Sequence, residues 1–437
     1  MKKSIKLALC LFLVVGTNLV YATNGDNLIA TGAKSRAMGG VGIAKSFGAE
    51  SALANPALLS SVTDMEISGS LSFFTPSVSF KSNFISQAIG AENPAYADSD
   101  TGVNIIPEVS FAQRISKYIV YGVSVTGTAS MGVDYSNNNL KNGSLNMQTD
   151  LQLLKISIPI SYQSKNISIG ISPIIQFGTL ELSHMIDTSA QGVSPLASDF
   201  VLLDNGASSD RSLGYEIGLA YDMQDTDVKG LILAMVYKSE LIMRYDNTLS
   251  ASIESFGGAD VTGIYSGDNL NQPSEFGLGS SYTFDENTIA FDYKYIAWGD
   301  AAGFKDFGWT NQHVFAVGYE YKNDELSMRL GYNYAQNPVS EQDGSSYAGG
   351  IKNSFNLAGF PGIVEHHFTF GGSYFINDEV ELDFAVVYTG EARQSYDTSA
   401  VTRAFIESAG GTYLGQRSSA DVKHSQFALS WGASYKF

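Results

Sequence analysis

Charge is the first thing this chain lacks. Only 16% of its 437 residues are charged, against about 25% in typical soluble domains, so a surface facing water on all sides would be undersupplied. Basic residues are scarcer than acidic ones, 26 Lys and Arg against 44 Asp and Glu. The net charge of −18 has the wrong sign for a phosphate backbone and excludes nucleic-acid binding. There is one cysteine, Cys10, so no intrachain disulfide and no zinc-thiolate site can form. No apolar run reaches the roughly 18 residues that mark a membrane-spanning helix. Enzyme signatures are missing too: no Gly-x-Ser-x-Gly elbow, no Walker loop and no His-Glu-x-x-His. Disorder is excluded by what is present, because 44% of the residues are hydrophobic.

The N-terminus sets the compartment. Met1 to Lys6 is basic, Leu7 to Val15 is apolar, and Val20-Tyr21-Ala22 offers a cleavage site, so residues 1–22 read as a secretory signal peptide. Cleavage after Ala22 would remove Lys2, Lys3, Lys6 and Cys10 together.

The mature chain, with 44 Gly, 24 Tyr and 25 Phe, carries period-two alternation, the pattern of a transmembrane β-barrel. It predicts fourteen strands: 65–80, 103–115, 119–130, 150–163, 167–186, 211–223, 230–246, 274–284, 287–298, 312–322, 326–336, 365–376, 379–390 and 424–437. Short polar turns such as Ser164-Lys165-Asn166 and Asp285-Glu286 alternate with the long stretches 81–102, 131–149, 187–210, 247–273, 299–311, 337–364 and 391–423. Turns are expected to face the periplasm and the seven long loops the outside. The fold class is therefore all-β, a 14-stranded antiparallel transmembrane barrel over 65–437, in the outer membrane of a Gram-negative bacterium.

Single strands show which face meets lipid. Val380, Leu382, Phe384, Val386 and Tyr388 share one side, and Glu381 and Asp383 the other. The final Tyr435-Lys436-Phe437 places two aromatics where an assembly signal for the outer-membrane assembly machinery is expected. The luminal face would carry Glu108, Arg114, Lys155, Glu216, Lys238, Glu240, Glu275, Asp292, Lys294, Glu320, Arg329, Glu381 and Asp383. Such charges can form a paired network that fixes a plug, or line a wet selectivity path.

Residues 23–64 do not alternate. They hold a compact Gly-rich run from Gly32 to Ala44, then Asn55-Pro56-Ala57 just ahead of the first strand. Pro fixes φ there, and an Asn side chain bonds local backbone N–H groups. Arg36, alone in an apolar segment, requires a carboxylate, with Glu381 and Asp383 as candidates.

These residues give a resemblance. Gly32, Arg36-Ala37, Gly40, Gly42-Ile43-Ala44 and above all Asn55-Pro56-Ala57 are similar to the FadL/TodX (OMPP1) family of outer-membrane transporters of long-chain fatty acids and hydrocarbons. Arg329-Leu330-Gly331-Tyr332, Asn337-Pro338-Val339 and the run from Gly362 to Tyr374 extend the likeness along the mature chain. The resemblance implies a barrel closed by an N-terminal hatch (23–64), with ligand captured by outer loops, passed to a luminal pocket and released sideways at a kinked third strand. Gly127 and Gly132 lie near that strand's end and permit a kink, or are simply turn or packing glycines. The start Thr23-Asn24-Gly25-Asp26 departs from an apolar-aromatic N-terminus.

The loops support ligand capture independently. Val193, Leu196, Phe200, Val201, Leu202 and Leu203 cluster in the third, Ile253, Phe256, Val261 and Ile264 in the fourth, and Phe355, Leu357, Phe360, Ile363 and Val364 in the sixth. Exposed apolar clusters mark binding, or loop-to-loop packing. The expected function is uptake of long-chain fatty acids or other hydrophobic small molecules by a monomer needing no cofactor or metal. An aromatic-hydrocarbon channel, a polar porin and a purely structural barrel are the alternatives. An outer-membrane phospholipase would need more than the sequence adjacency of His424 and Ser425, and His366-His367 would point to opposite faces of a strand.

Overall fold

The computed structural model describes residues 23–437 apart from 91, 139–141, 188–199, 266 and 409. Fourteen antiparallel strands close into one barrel. In chain order they are β1 (Met65–Ser82), β2 (Asn104–Arg114), β3 (Ile119–Asp134), β4 (Gln148–Ser157 and Ile160–Ser164), β5 (Ile167–Asp187), β6 (Phe200–Asp204 and Ser208–Asp222) and β7 (Leu231–Lys238). The second half comprises β8 (Glu275–Phe284), β9 (Asn287–Ile296), β10 (Gln312–Lys322), β11 (Leu326–Ala335), β12 (His366–Phe375), β13 (Val380–Tyr388 and Ala392–Asp397) and β14 (Ser419–Lys436). Strand β14 pairs with β1 from Lys436↔Glu66 through Ser430↔Ser72 to Ala420↔Ser82, which leaves no free edge. Among the described residues, no helix is long and apolar enough to cross a membrane.

Alternation places each side chain as the pattern requires. Leu71, Val109, Ile169, Ile171, Leu233, Leu330 and Leu382 are exposed on the outer wall, while Ser72, Glu108, Ser110, Glu216, Asp292, Glu381 and Asp383 are buried inside. Where β4 breaks, Pro159 brings no N–H, and its carbonyl accepts from Gly122 N at 2.9 Å.

Several strand boundaries differ from the sequence reading, among them the third, which runs on to Asp134, and the last, which begins at Ser419. The seventh strand stops at Lys238 rather than 246; beyond it only the isolated bridges Leu241↔Gln272 and Arg244↔Asn269 form. Leu241, Met243 and Tyr245 still alternate into the core, because alternation reports an extended chain with one buried side and not a continuing ladder. Phe200–Asp204, expected in a loop, pairs with the outer end of β5. Strand β13 likewise resumes at Ala392–Asp397 against β14.

Among the described residues, five helices shape the outer loops: α2 (Phe84–Ile89), α3 (Leu249–Ser255), α4 (Ala259–Thr262), α5 (Tyr347–Gly359) and α6 (Ser399–Ser408). An additional short helix, α1 (Ala33–Ala37), lies in the segment that fills the lumen.

Candidate functional site: hatch, luminal chamber and outer cleft

Residues 23–64 form a hatch inside the barrel. It begins with a hairpin, Thr23–Asn24 against Asn27–Leu28, turning at Gly25 (φ +64°). Helix α1 follows, and all five of its residues are buried. Two 3-10 turns, Gly48–Leu53 and Pro56–Ser61, lead into β1. Asn55 caps the second turn: its Oδ1 accepts from Ala57 N at 3.0 Å, and its Nδ2 donates to Ile43 O at 2.8 Å. Pro56 occupies the first position of that turn, where a missing N–H costs nothing.

Helix α1 carries the ionic anchors. Arg36 grips Glu108 of β2 with both ends of its guanidinium, Nη1 to Oε2 at 2.8 Å and Nη2 to Oε1 at 2.5 Å. Its expected partners, Glu381 and Asp383 of β13, hold Lys34 instead, at 3.3 and 3.8 Å. The correction is geometric. Residues two apart on a helix do not share a face, so Lys34 and Arg36 reach different walls. A third hatch cation, Lys45, meets Glu320, which also accepts from Arg329 Nε at 2.8 Å. One hatch acid, Glu50, is buried with Oε2 unpartnered. Burial pushes its carboxyl up to about 8, against the opposing pull of Lys34.

Backbone anchors complete the seat. Asp292 accepts from Gly42 N and Ile43 N at 2.7 and 2.9 Å, and Arg114 donates through Nε to Val62 O at 2.8 Å. Gly39 N donates to Thr369 Oγ1 at 2.8 Å, with φ +73° and Tyr332 N only 2.7 Å from where a Cβ would sit. Gly40 is also left-handed, at φ +87°. Wall glycines let the hatch this close. A Cβ at Gly170 would overlap Pro56 and Ala57, and one at Gly218 would overlap Asn55 Oδ1.

Between the hatch and the barrel wall lies a chamber of about 110 Å³. Lys155, Lys238 and Lys294 line it with Glu275 and Asp292. Lys238 pairs with Glu275 at 3.5 Å, and Lys294 Nζ donates to Ile29 O at 3.4 Å. Lys155 makes no ion pair among the described residues, and the Nε2 groups of Gln176 and Gln272 are buried without a partner. Glu216, also expected in the lumen, is buried nearby with Oε1 unpartnered. Sequence reading missed Gln176 of β5 and Gln272 just ahead of β8 because neutral amides carry no signal of their own.

At the outer end, α2, α5 and α6 enclose a cleft of about 190 Å³ lined by Phe80, Phe84, Phe256, Ile351, Phe355 and Phe405. Phe84 and Phe405 meet edge-on, with ring centres 5.0 Å apart. Of the loop residues singled out by sequence, Phe256 and Phe355 line this cleft. Ile264, Leu357, Phe360 and Ile363 are buried in the apolar core beneath it. Leu202 is exposed on β6 and does not line the cleft, since its segment pairs with β5. Leu196 and the Phe200 side chain lie outside the described residues. The core continues down to the hatch hairpin, where Trp298 lies against Gly25.

The third strand is irregular. The β2–β3 ladder begins at Glu108↔Thr126, so Asn104–Pro107 and the stretch of β3 beyond Thr126 face each other without pairing. A register shift at Gly127/Ala129 bends β3 toward β4. Gly127 packs on Ile106, whose Cγ2 lies 2.8 Å from its would-be Cβ, and Gly132 backs onto Thr149 O. An outer pocket of about 400 Å³ opens here, lined by Ile105, Pro107, Leu154 and Phe177. Tyr435 and Phe437 are exposed on the outer wall, with rings 4.5 Å apart. His366 is exposed and His367 buried, and no cluster of metal-ligating side chains occurs among the described residues.

The family model of the outer membrane protein transport proteins (OMPP1/FadL/TodX) matches residues 22–437. No curated protein matches the chain. Among solved structures it is similar to a Pseudomonas aeruginosa FadL homologue at 15% identity and TM-score 0.67, covering 96% of this chain and 100% of that one. It is similar to the P. putida toluene transporter TodX at 19% identity and TM-score 0.64, covering 93% and 99%. The Ralstonia pickettii toluene transporter TbuX gives 18% identity and TM-score 0.58, covering 93% and 98%. At such identities these structures speak for the fold alone, whereas the family match spans the hatch and the barrel together. The chain belongs to the OMPP1/FadL/TodX family of outer-membrane transport proteins, which carry hydrophobic substrates.

Proposed function

We propose that the protein takes up long-chain fatty acids, capturing the apolar chain in the outer cleft and receiving the carboxylate in the luminal chamber. One observation carries this reading. An aromatic cleft and a chamber with the unpartnered amide donors Gln176 Nε2 and Gln272 Nε2, beside Lys155, which makes no ion pair among the described residues, lie along one barrel. Buried donors without acceptors disfavour a neutral hydrocarbon, which would leave them unsatisfied, and favour a carboxylate that accepts from all three. The hatch gates passage, held by Arg36 and Lys34. Exit is lateral, through the unpaired β2–β3 stretch beside Gly127 and Gly132. Tyr435 and Phe437 serve assembly. Residues 1–22 act as a cleaved signal peptide.

Binding of a long-chain fatty acid and of the matching alkane to the purified barrel tests the ligand class. The acid should bind more tightly, and Lys155→Met should weaken the acid about tenfold, a 1.4 kcal/mol effect, with alkane binding unchanged. Equal affinity for acid and alkane, or preference for toluene, would replace this reading with that of a hydrocarbon channel.

A further inference from the structure

The hatch hairpin holds a carboxylate with nothing to neutralise it. Asp26 is 1% exposed, and neither of its oxygens has a hydrogen-bond partner. No ion pair includes it among the described residues. Beside it is a cavity of about 20 Å³, lined by Thr23, Asp26, His424 and Gln426 among others. That volume suits one water-sized group with several donors.

A second orphaned acceptor is fixed in the same place. Gln426 Nε2 donates to Thr23 Oγ1 at 3.0 Å and to His424 Nε2 at 2.9 Å. His424 Nδ1 donates to Pro361 O at 2.6 Å, so its Nε2 is the accepting nitrogen. A flipped Gln426 amide would set its oxygen against the accepting His424 Nε2, so the amide keeps this orientation and its Oε1 is left buried and unpartnered. All these orphans are acceptors, and what they lack is a compact cation with several N–H groups.

Residue 23 is where such a cation would arise. We propose that the cavity seats the free α-ammonium of Thr23, made by signal-peptide cleavage after Ala22, and that its pairing with Asp26 locks the hatch hairpin only in the processed chain. Hydrolysis of the Ala22–Thr23 bond consumes one water. The water oxygen goes to the Ala22 carboxylate, and both protons end on the Thr23 nitrogen. The uncleaved amide offers one N–H and no charge, so it cannot satisfy Asp26 and Gln426 together. Without the ammonium, burial would hold the Asp26 carboxyl up to about 7, half neutral in the physiological range. The hairpin of the precursor hatch is thus left unlatched until the bond is cut, while the ion pairs of Lys34 and Arg36 hold the rest of the hatch in either form.

N-terminal sequencing of protein extracted from outer membranes should give Thr23 first; a different first residue overturns the proposal. The α-amine of the folded barrel is then treated with a small amine-acylating reagent. Every unit by which the pair raises the amine's pKa lowers its reactive free base about tenfold. Tenfold or greater protection relative to the heat-denatured chain is expected. Asp26→Asn should abolish most of that protection, and Asp26→Glu should retain part of it. An α-amine as reactive in the folded wild type as in the denatured chain overturns the proposal, and so does full protection in Asp26→Asn. Should Asp26→Asn fail to assemble, the wild-type comparison and Gln426→Ala still decide.

Discussion

Arg36 and Glu108 are 72 positions apart in sequence and form a two-pronged buried ion pair, 3% and 2% exposed. Ser72 Oγ accepts from the same guanidinium at 2.6 Å, and Gly32 N and Ser70 Oγ donate to the same carboxylate at 3.0 and 2.5 Å. Helix α1, β1 and β2 are thereby tied at a single point.

Removing one partner leaves the other charged and buried, which costs about 3–5 kcal/mol. Arg36→Ala should therefore loosen the hatch, raise small-solute conductance in planar bilayers and uncouple uptake from ligand binding at the outer cleft. Arg36→Lys should fall between, because a lysine cannot form both bonds at once. Wild-type conductance and uptake in Arg36→Ala would remove the latch role.

Glu50 gives the hatch a pH dependence. Its seated carboxyl is raised by burial, so it binds its proton more tightly in the closed hatch than in a freed one. Closure is strongest at low pH and weakens as pH rises from the free value of 4.5 to about 8, where the seated carboxyl too becomes a negative charge beside Asp383 and Glu108. Conductance recorded from about pH 4 to 9.5 should show leak rising toward that value and levelling above it. Glu50→Gln should flatten the curve; an unchanged curve would show that Glu50 does not titrate in the seated hatch.

Close packing predicts a steric test. An alanine at Gly170 must displace the Pro56–Ala57 turn, and overpacking of this kind costs about 1–3 kcal/mol. Gly170→Ala should assemble with a higher melting temperature loss and greater leak than Gly206→Ala, whose Cβ would meet nothing within 4 Å although its φ is +71°. Equal behaviour of the two would mean the hatch does not rest on that wall.

The register predicts opposite outcomes for neighbours on β13. Phe384 packs beside Phe370 and Trp431 on the outer wall, with ring centres 5.7 and 6.4 Å away. Phe384→Arg should destabilise the barrel by about 2–4 kcal/mol if it lies near the midplane. Asp383→Asn, inside, should spare heat resistance in detergent and instead weaken the hold on Lys34. A heat-resistant Phe384→Arg barrel would mean the faces are reversed.

The barrel is legible in the order of its residues. Period-two alternation is a property of neighbouring residues along one strand, so Leu382, Asp383 and Phe384 declare their faces without reference to the rest of the chain. Asn55 and Pro56 were equally legible, because the cap bond from Ala57 N spans two residues. Which charges meet depends instead on how the hatch sits against the walls. Lys34 finds Glu381 across 347 positions, and Arg36 finds Glu108 in place of the acids expected for it, because the helix directs them to separate walls. The outer cleft was half visible for the same reason. Phe84 and Phe405 each sit in an ordinary amphipathic turn, and only barrel closure, which brings β1 beside β14, sets the two rings 5.0 Å apart. Local chemistry is written in local sequence, whereas a pairing between distant residues depends on closure of the whole sheet.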